Sequence, residues 1–211
     1  MTKKPKSRKA PAPKAPAPKP AAPMPYDRNV FVTQFPLVKY FIYHLTYYRI
    51  LFDGYEEHQL QNEFWTLTID AHLLRATTNW CMVFGSKSEP THWRHLTEES
   101  ESHAQNFRNG LFSEIGLSEV GWRKYWTDMK QFRDKWVAHR ELKPFTDPVP
   151  NFDTALAVAY YYDNWVRDVI SPHSLDEPPF ELFAASLRES VTPLVNKLLR
   201  ATEMGSAEPP A

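Results

Sequence analysis

Apolar residues recur at spacings of three and four along most of this chain, and an alternation of two is nowhere sustained. That is the period of amphipathic helices, not of strands. The spacing predicts a first helix that starts after Thr33 or Gln34, takes Pro36 into its first turn and runs to about Phe52. It is dense in rings: Phe35, Tyr40, Phe41, Tyr43, Tyr47 and Tyr48. A second helix is expected from about Glu57 to Phe84, stopped by Gly85. Leu60, Phe64, Leu67, Ala71, Leu74, Thr78 and Cys81 form a seam along it. Trp65, Ile69 and Val83 lie opposite, so this helix is expected to pack on two sides. Residues 85–118 are less regular, with a short helix around Glu98–Phe112 and breaks at Gly110 and Gly116. A third long helix spans about Ser118–Glu141, with Ser118 as its N-cap. Pro144, Pro148 and Pro150 then force a loop. A fourth helix covers Asp153–Ile170 and ends at Ser171-Pro172. The last region begins near Asp176, with Pro178 and Pro179 in its first turn and a kink or restart at Pro193. The predicted architecture is an all-α helical bundle.

Composition changes this picture at the ends. The formal net charge of the 211 residues is zero, but seven of the 25 basic residues and none of the 25 acidic ones lie in residues 1–25. The remainder therefore carries 18 basic against 25 acidic residues, a balance of −7. Eight of the 19 prolines fall in the same first 25 residues. A Pro/Ala/Lys segment of this kind cannot bury apolar surface, so residues 1–25 are read as a disordered basic tail. Residues 26–204 are read as a single helical domain, and residues 205–211 as a frayed end. The tail is either a solubilising leader or a weak electrostatic attractor of nucleic acid.

Several classes drop out. A lone cysteine, Cys81, excludes a disulfide framework and a Cys-rich zinc module, and fits a reducing, cytoplasmic setting. The longest apolar-looking stretch, Pro36–Phe52, is interrupted by Lys39, His44, Thr46 and Arg49, so no membrane span is expected. Neither GxGxxG nor GxxxxGK[ST] occurs. No cofactor and no metal is expected. His92 and His95, with Glu98, Glu99 and His103 nearby, read as surface residues rather than a zinc site, which needs three or four converging ligands. Cys81 and His72 stand about 13 Å apart in helical rise, too far for a catalytic pair. Tyr43, Tyr47 and Tyr48 could stack bases, but packing is the stronger reading.

The third helix carries the chemistry, in the run Arg133-Asp134-Lys135-Trp136-Val137-Ala138-His139-Arg140. Trp122, Tyr125, Met129, Phe132 and Trp136 share one stripe. Arg133 lies about 60° to one side of Trp136, Arg140 about 40° to that side, and His139 about 60° to the other. Cations normally stand on the outer face, and here they border the apolar one, so they need partners. Arg133 or Arg140 could pair with Asp70 or Glu63 beside the second helix's seam, leaving His139 as a satisfied core histidine. A second Arg-to-His match, Arg167 to His173, crosses Ser171-Pro172 and is read as a decoy.

The segment resembles the active motif of the HEPN superfamily, most closely its AbiU-like, abortive-infection branch. In that motif an Arg is followed by a polar residue and, after four to six intervening positions, by a His. Arg133, Asp134 and His139 match it residue by residue. The Pro-rich loop, Asn151-Phe152-Asp153 opening the next helix and the internal Asp70 of the second helix are similar too. The resemblance covers about residues 35–170. It implies a metal-independent endoribonuclease, with Arg133, His139 and Asp134 catalytic and Arg140 and Asp70 supporting. It also implies RNA as partner, a homodimer with the third helix near the axis, and an antitoxin or phage-defence partner. Related toxins often carry a Tyr two residues after the His. Here that position is Glu141, so control by nucleotide addition to it is not supported. The alternatives are a non-catalytic module that binds RNA or a protein, and a purely structural helical protein.

Overall fold

The computed structural model describes residues 25–58, 62–97, 101–138, 148–170 and 175–205. The tail expected at 1–25 lies outside them except for Pro25, as do His139, Arg140 and the residues beyond Gly205. The described residues form an all-α bundle of six helices: α1 Arg28–His58, α2 Glu63–Phe84, α3 Glu101–Ile115, α4 Glu119–Phe132, α5 Phe152–Ile170 and α6 Phe180–Gly205. The nearest thing to a strand among them is a single bridge between Tyr26 and Thr97.

α1 begins earlier than its apolar pattern suggests. Asp27 Oδ1 accepts the Asn29 and Val30 N–H groups and so satisfies the free donors of the first turn. Pro36 is therefore interior, and the carbonyl one turn back, on the exposed Val32, loses its helical donor where water can replace it. At the other end α1 runs on to His58, so Glu57 belongs to it, and α2 starts at Glu63 with Asn62 as N-cap. α2 does stop at Gly85, whose N–H reaches the Cys81 carbonyl. α3 passes through Gly110 and ends at Gly116, the residue at φ +65°. Gly110 is needed for space: a Cβ there would run into the Tyr161 hydroxyl, which donates to the Phe107 carbonyl. α6 continues through Pro193 without a restart.

Contacts fix the layout. His44 meets His72 and Leu51 shares a cluster with Trp65, so α1 and α2 run antiparallel. Phe35 packs on Phe180 and Tyr43 on Phe183, which lays α6 parallel to α1. α5 closes the core: the Tyr162 hydroxyl donates to Gln34 Oε1, and the Trp80 indole donates to the Ala155 carbonyl. Trp80, Phe41, Phe84 and Tyr162 are all buried at the centre. Gln34 also donates to the Thr91 carbonyl, so this buried polar pair is matched on both sides.

The seam expected along α2 points the other way over most of its length. Phe64 and Leu67 are about two-thirds exposed, at 64% and 66%, whereas Trp65, Ile69, Leu73, Ala76 and Trp80 are buried. Both faces are apolar, and the larger rings face α1 and α6, where they bury more surface.

Candidate functional site

Ser118 caps α4 as its sequence suggests, accepting the Gly121 N–H. The α winding stops at Phe132. Arg133–Ala138 continue as a π-helical segment, a wider winding that is enriched at functional sites. Phe132 and Trp136 stack at 5.0 Å on the inner side of this change, and Phe132 also meets Phe152. The change of winding therefore sits over the core, with Arg133 as its first residue.

Arg133 is partly buried, with 22% of its side chain exposed, and Asp134 is half exposed at 51%. The Arg133 Nε and Nη2 groups both donate to Asp134 Oδ1, at 2.7 and 2.6 Å. A carboxylate one residue away thus holds the guanidinium in one orientation. Arg133 also faces α2. Burial pushes the Cys81 thiol up to about 12, while the Arg133 charge acts in the opposite direction. Cys81 is fully buried with its sulfur 3.9 Å from the Met129 carbonyl, an inert thiol.

Asp70 does not join Arg133. It lies eleven residues before Cys81 on α2, about 16 Å away in rise, and its charge acts on Tyr48 of α1. Desolvation raises its own carboxyl. Glu63, two turns further along, is the first residue of the same helix, next to its cap Asn62. Of the five expected site residues, the described structure therefore brings Arg133 and Asp134 together, keeps Asp70 apart, and does not include His139 or Arg140.

The other candidates resolve individually. Arg167 is bound by Asp163 at 3.1 Å and donates to the Pro178 carbonyl, while Asp163 accepts the Phe180 N–H at 2.7 Å. That arrangement is a clamp between α5 and the start of α6. His92 is a correction: it is buried, not on the surface, and its Nδ1 accepts the Arg94 N–H. Burial drives its pKa down to about 3. Glu98 and Glu99 lie outside the described residues. Among the described residues no three His, Cys, Asp or Glu side chains converge as a metal site would require. Tyr43 and Tyr47 pack on Phe183 and His72. His44 and His72 meet Nδ1 to Nδ1 at 2.9 Å between α1 and α2, with burial lowering both pKa values.

Residues that the one-dimensional reading missed lie where Trp93 and Arg94 meet α3 and α4. There Arg94 and Arg108 share the carboxylate of Glu101, beside Trp122 and Trp126. The only local signal was the alternation His92-Trp93-Arg94-His95.

The fold places the chain among all-α bundles, and among the described residues no helix is long and apolar enough to cross a membrane. No family model, curated protein or solved structure matches it.

Proposed function

We propose that this chain is a metal-independent endoribonuclease of the HEPN type, acting in a phage-defence or toxin setting. The observation that supports it best is the Arg133–Asp134 pair: a partly buried guanidinium, oriented by its neighbour, where α4 changes winding. An ion pair between adjacent residues braces no second helix; what it fixes is the orientation of the guanidinium.

RNA supplies its own nucleophile. In this reading His139 takes the proton of the 2′-OH, O2′ attacks phosphorus, and the bond from phosphorus to the 5′-oxygen breaks. The leaving oxygen takes a proton from imidazolium or water, and the products are a 2′,3′-cyclic phosphate and a 5′-OH. Arg133 meets the charge that grows on the phosphorane oxygens with a planar, permanently charged fork. Asp134 keeps that fork turned. Arg140 is a second phosphate clamp. Arg133 and His139 stand six residues apart along the chain, and two copies of the motif paired about a two-fold axis would bring two such sets to one phosphate.

The test is incubation with tRNA and mRNA in EDTA, together with light scattering of the same samples. Wild type should cleave to 2′,3′-cyclic ends. Arg133→Ala and His139→Ala should stay folded and lose at least about 100-fold in rate. RNA that binds but is never cleaved makes the protein a non-catalytic RNA-binding module. Full cleavage by a strict monomer removes the two-fold pairing.

A further inference from the structure

Between the end of α2 and the faces of α3 and α4 lies a cleft of about 190 Å³. Its apolar side is made by the buried Phe84, Phe107 and Leu111. Trp122 and Trp126, one turn apart on α4 and partly buried against the core, line it with their indoles. The Trp126 plane is pinned because its N–H donates to the Phe84 and Gly85 carbonyls at 2.9 and 3.0 Å. Lys130 sits over the same ring at 4.1 Å. The cleft is therefore a rigid aromatic slot of the kind on which flat rings stack.

Its rim is cationic. Arg94 and Arg108, with 19% and 26% of their side chains exposed, each donate to one oxygen of Glu101, at 2.7 and 2.6 Å. Lys87 lines the same cleft. Two guanidiniums converging on one carboxylate make an anion fork, and the present occupant is exposed, at 72%. The buried His92 also lines the cleft, its Nδ1 accepting the Arg94 N–H. Flat apolar walls and an anion fork at the mouth define a ligand with a heteroaromatic ring and a phosphate.

We propose that this cleft binds a nucleoside phosphate, its base against Trp122 and Trp126 and its phosphate on Arg94 and Arg108 in place of the Glu101 carboxylate. The ligand is either a free nucleotide or an unpaired nucleotide of an RNA strand, and the site stands apart from any cleavage at Arg133. A strand held here would pass Lys130 toward Arg133, about 10 Å along α4 from Trp126.

The experiment uses the full chain and two probes: AMP and UMP by isothermal titration, and a labelled 2′-O-methyl hexanucleotide by fluorescence anisotropy. The methylated strand has no 2′-OH, so binding is read whether or not the protein cleaves RNA. Glu101→Gln removes the internal competitor and should bind about threefold or more tightly than wild type. Arg94→Ala and Arg108→Ala should each bind about tenfold more weakly. Residues 1–25 are the same in every variant, so the differences report the cleft. Binding of the mononucleotides assigns the site to free nucleotides, and binding of the strand alone assigns it to RNA. The proposal is overturned if neither probe binds wild type or Glu101→Gln, or if Glu101→Gln binds no more tightly than wild type. The second criterion holds even if the arginine variants lose their fold by circular dichroism.

Discussion

His92 is where burial most changes a residue's chemistry. Unfolded, it takes a proton near pH 6.5; in the fold, desolvation and the nearby His95 and Arg94 hold it neutral down to about 3. His44 is held neutral to about 4 by burial beside His72 and Arg75, and the His72 pKa is lowered as well. Below pH 6.5 the unfolded chain therefore binds protons that the folded chain does not. The stability these residues contribute is complete above about pH 6.5 and drains away as pH falls toward 3–4, a loss on the order of a few kcal/mol. Thermal melts followed by circular dichroism should show Tm falling steadily from pH 7 to pH 4.5, with a shallower fall for His92→Gln. A flat Tm over that range would contradict the burial of these rings. None of this is visible in one dimension. His92 sits in a polar run that reads as surface, and only Trp93 stacked on Phe107 draws it into the core.

At the scale of elements, most helices were legible because a helix imposes its own period. Ser118 and Gly85 mark real ends, since a capping side chain and a chain-ending glycine act locally. The errors fell where a distant partner decides. α1 starts at Arg28 rather than near Pro36 because Asp27 caps it and its N–H reaches the Leu96 carbonyl across the fold. The start of α6 depends in the same way on Asp163, a buried carboxylate that accepts the Phe180 N–H and the Arg167 guanidinium. Asp163→Ala would leave Arg167, 13% exposed, without its partner and the first turn of α6 without its acceptor. A loss of about 3–5 kcal/mol is expected in urea unfolding. A loss under about 1 kcal/mol would show that water replaces the clamp.

At the scale of the molecule, the split of charge is the feature to test. On the proposed function, residues 26–211, at −7, would repel an RNA backbone overall, and seven cations in residues 1–25 would offset that repulsion at long range. Deleting residues 1–25 should weaken RNA binding and make the salt dependence of log K shallower by up to about 5 for a single strand. Cleavage of saturating RNA should be unchanged. Identical salt slopes for the two forms would make the tail a leader without an electrostatic role.

The chain's own order of residues determined the all-α class, most helix positions and the Arg133, Asp134 and His139 run. Each of these follows from local rules: a period of 3.6, a cap, a short spacing. Tertiary structure alone decided which side of α2 faces inward, since both sides are apolar and only α1 and α6 choose between them. It alone kept Asp70 away from Arg133, because the two belong to opposite ends of a helix pair. It alone assembled the cleft, whose tryptophans and arginines come from three separate stretches between Trp93 and Trp126. Burial and convergence depend on contacts between residues far apart in the chain, and no periodicity encodes them.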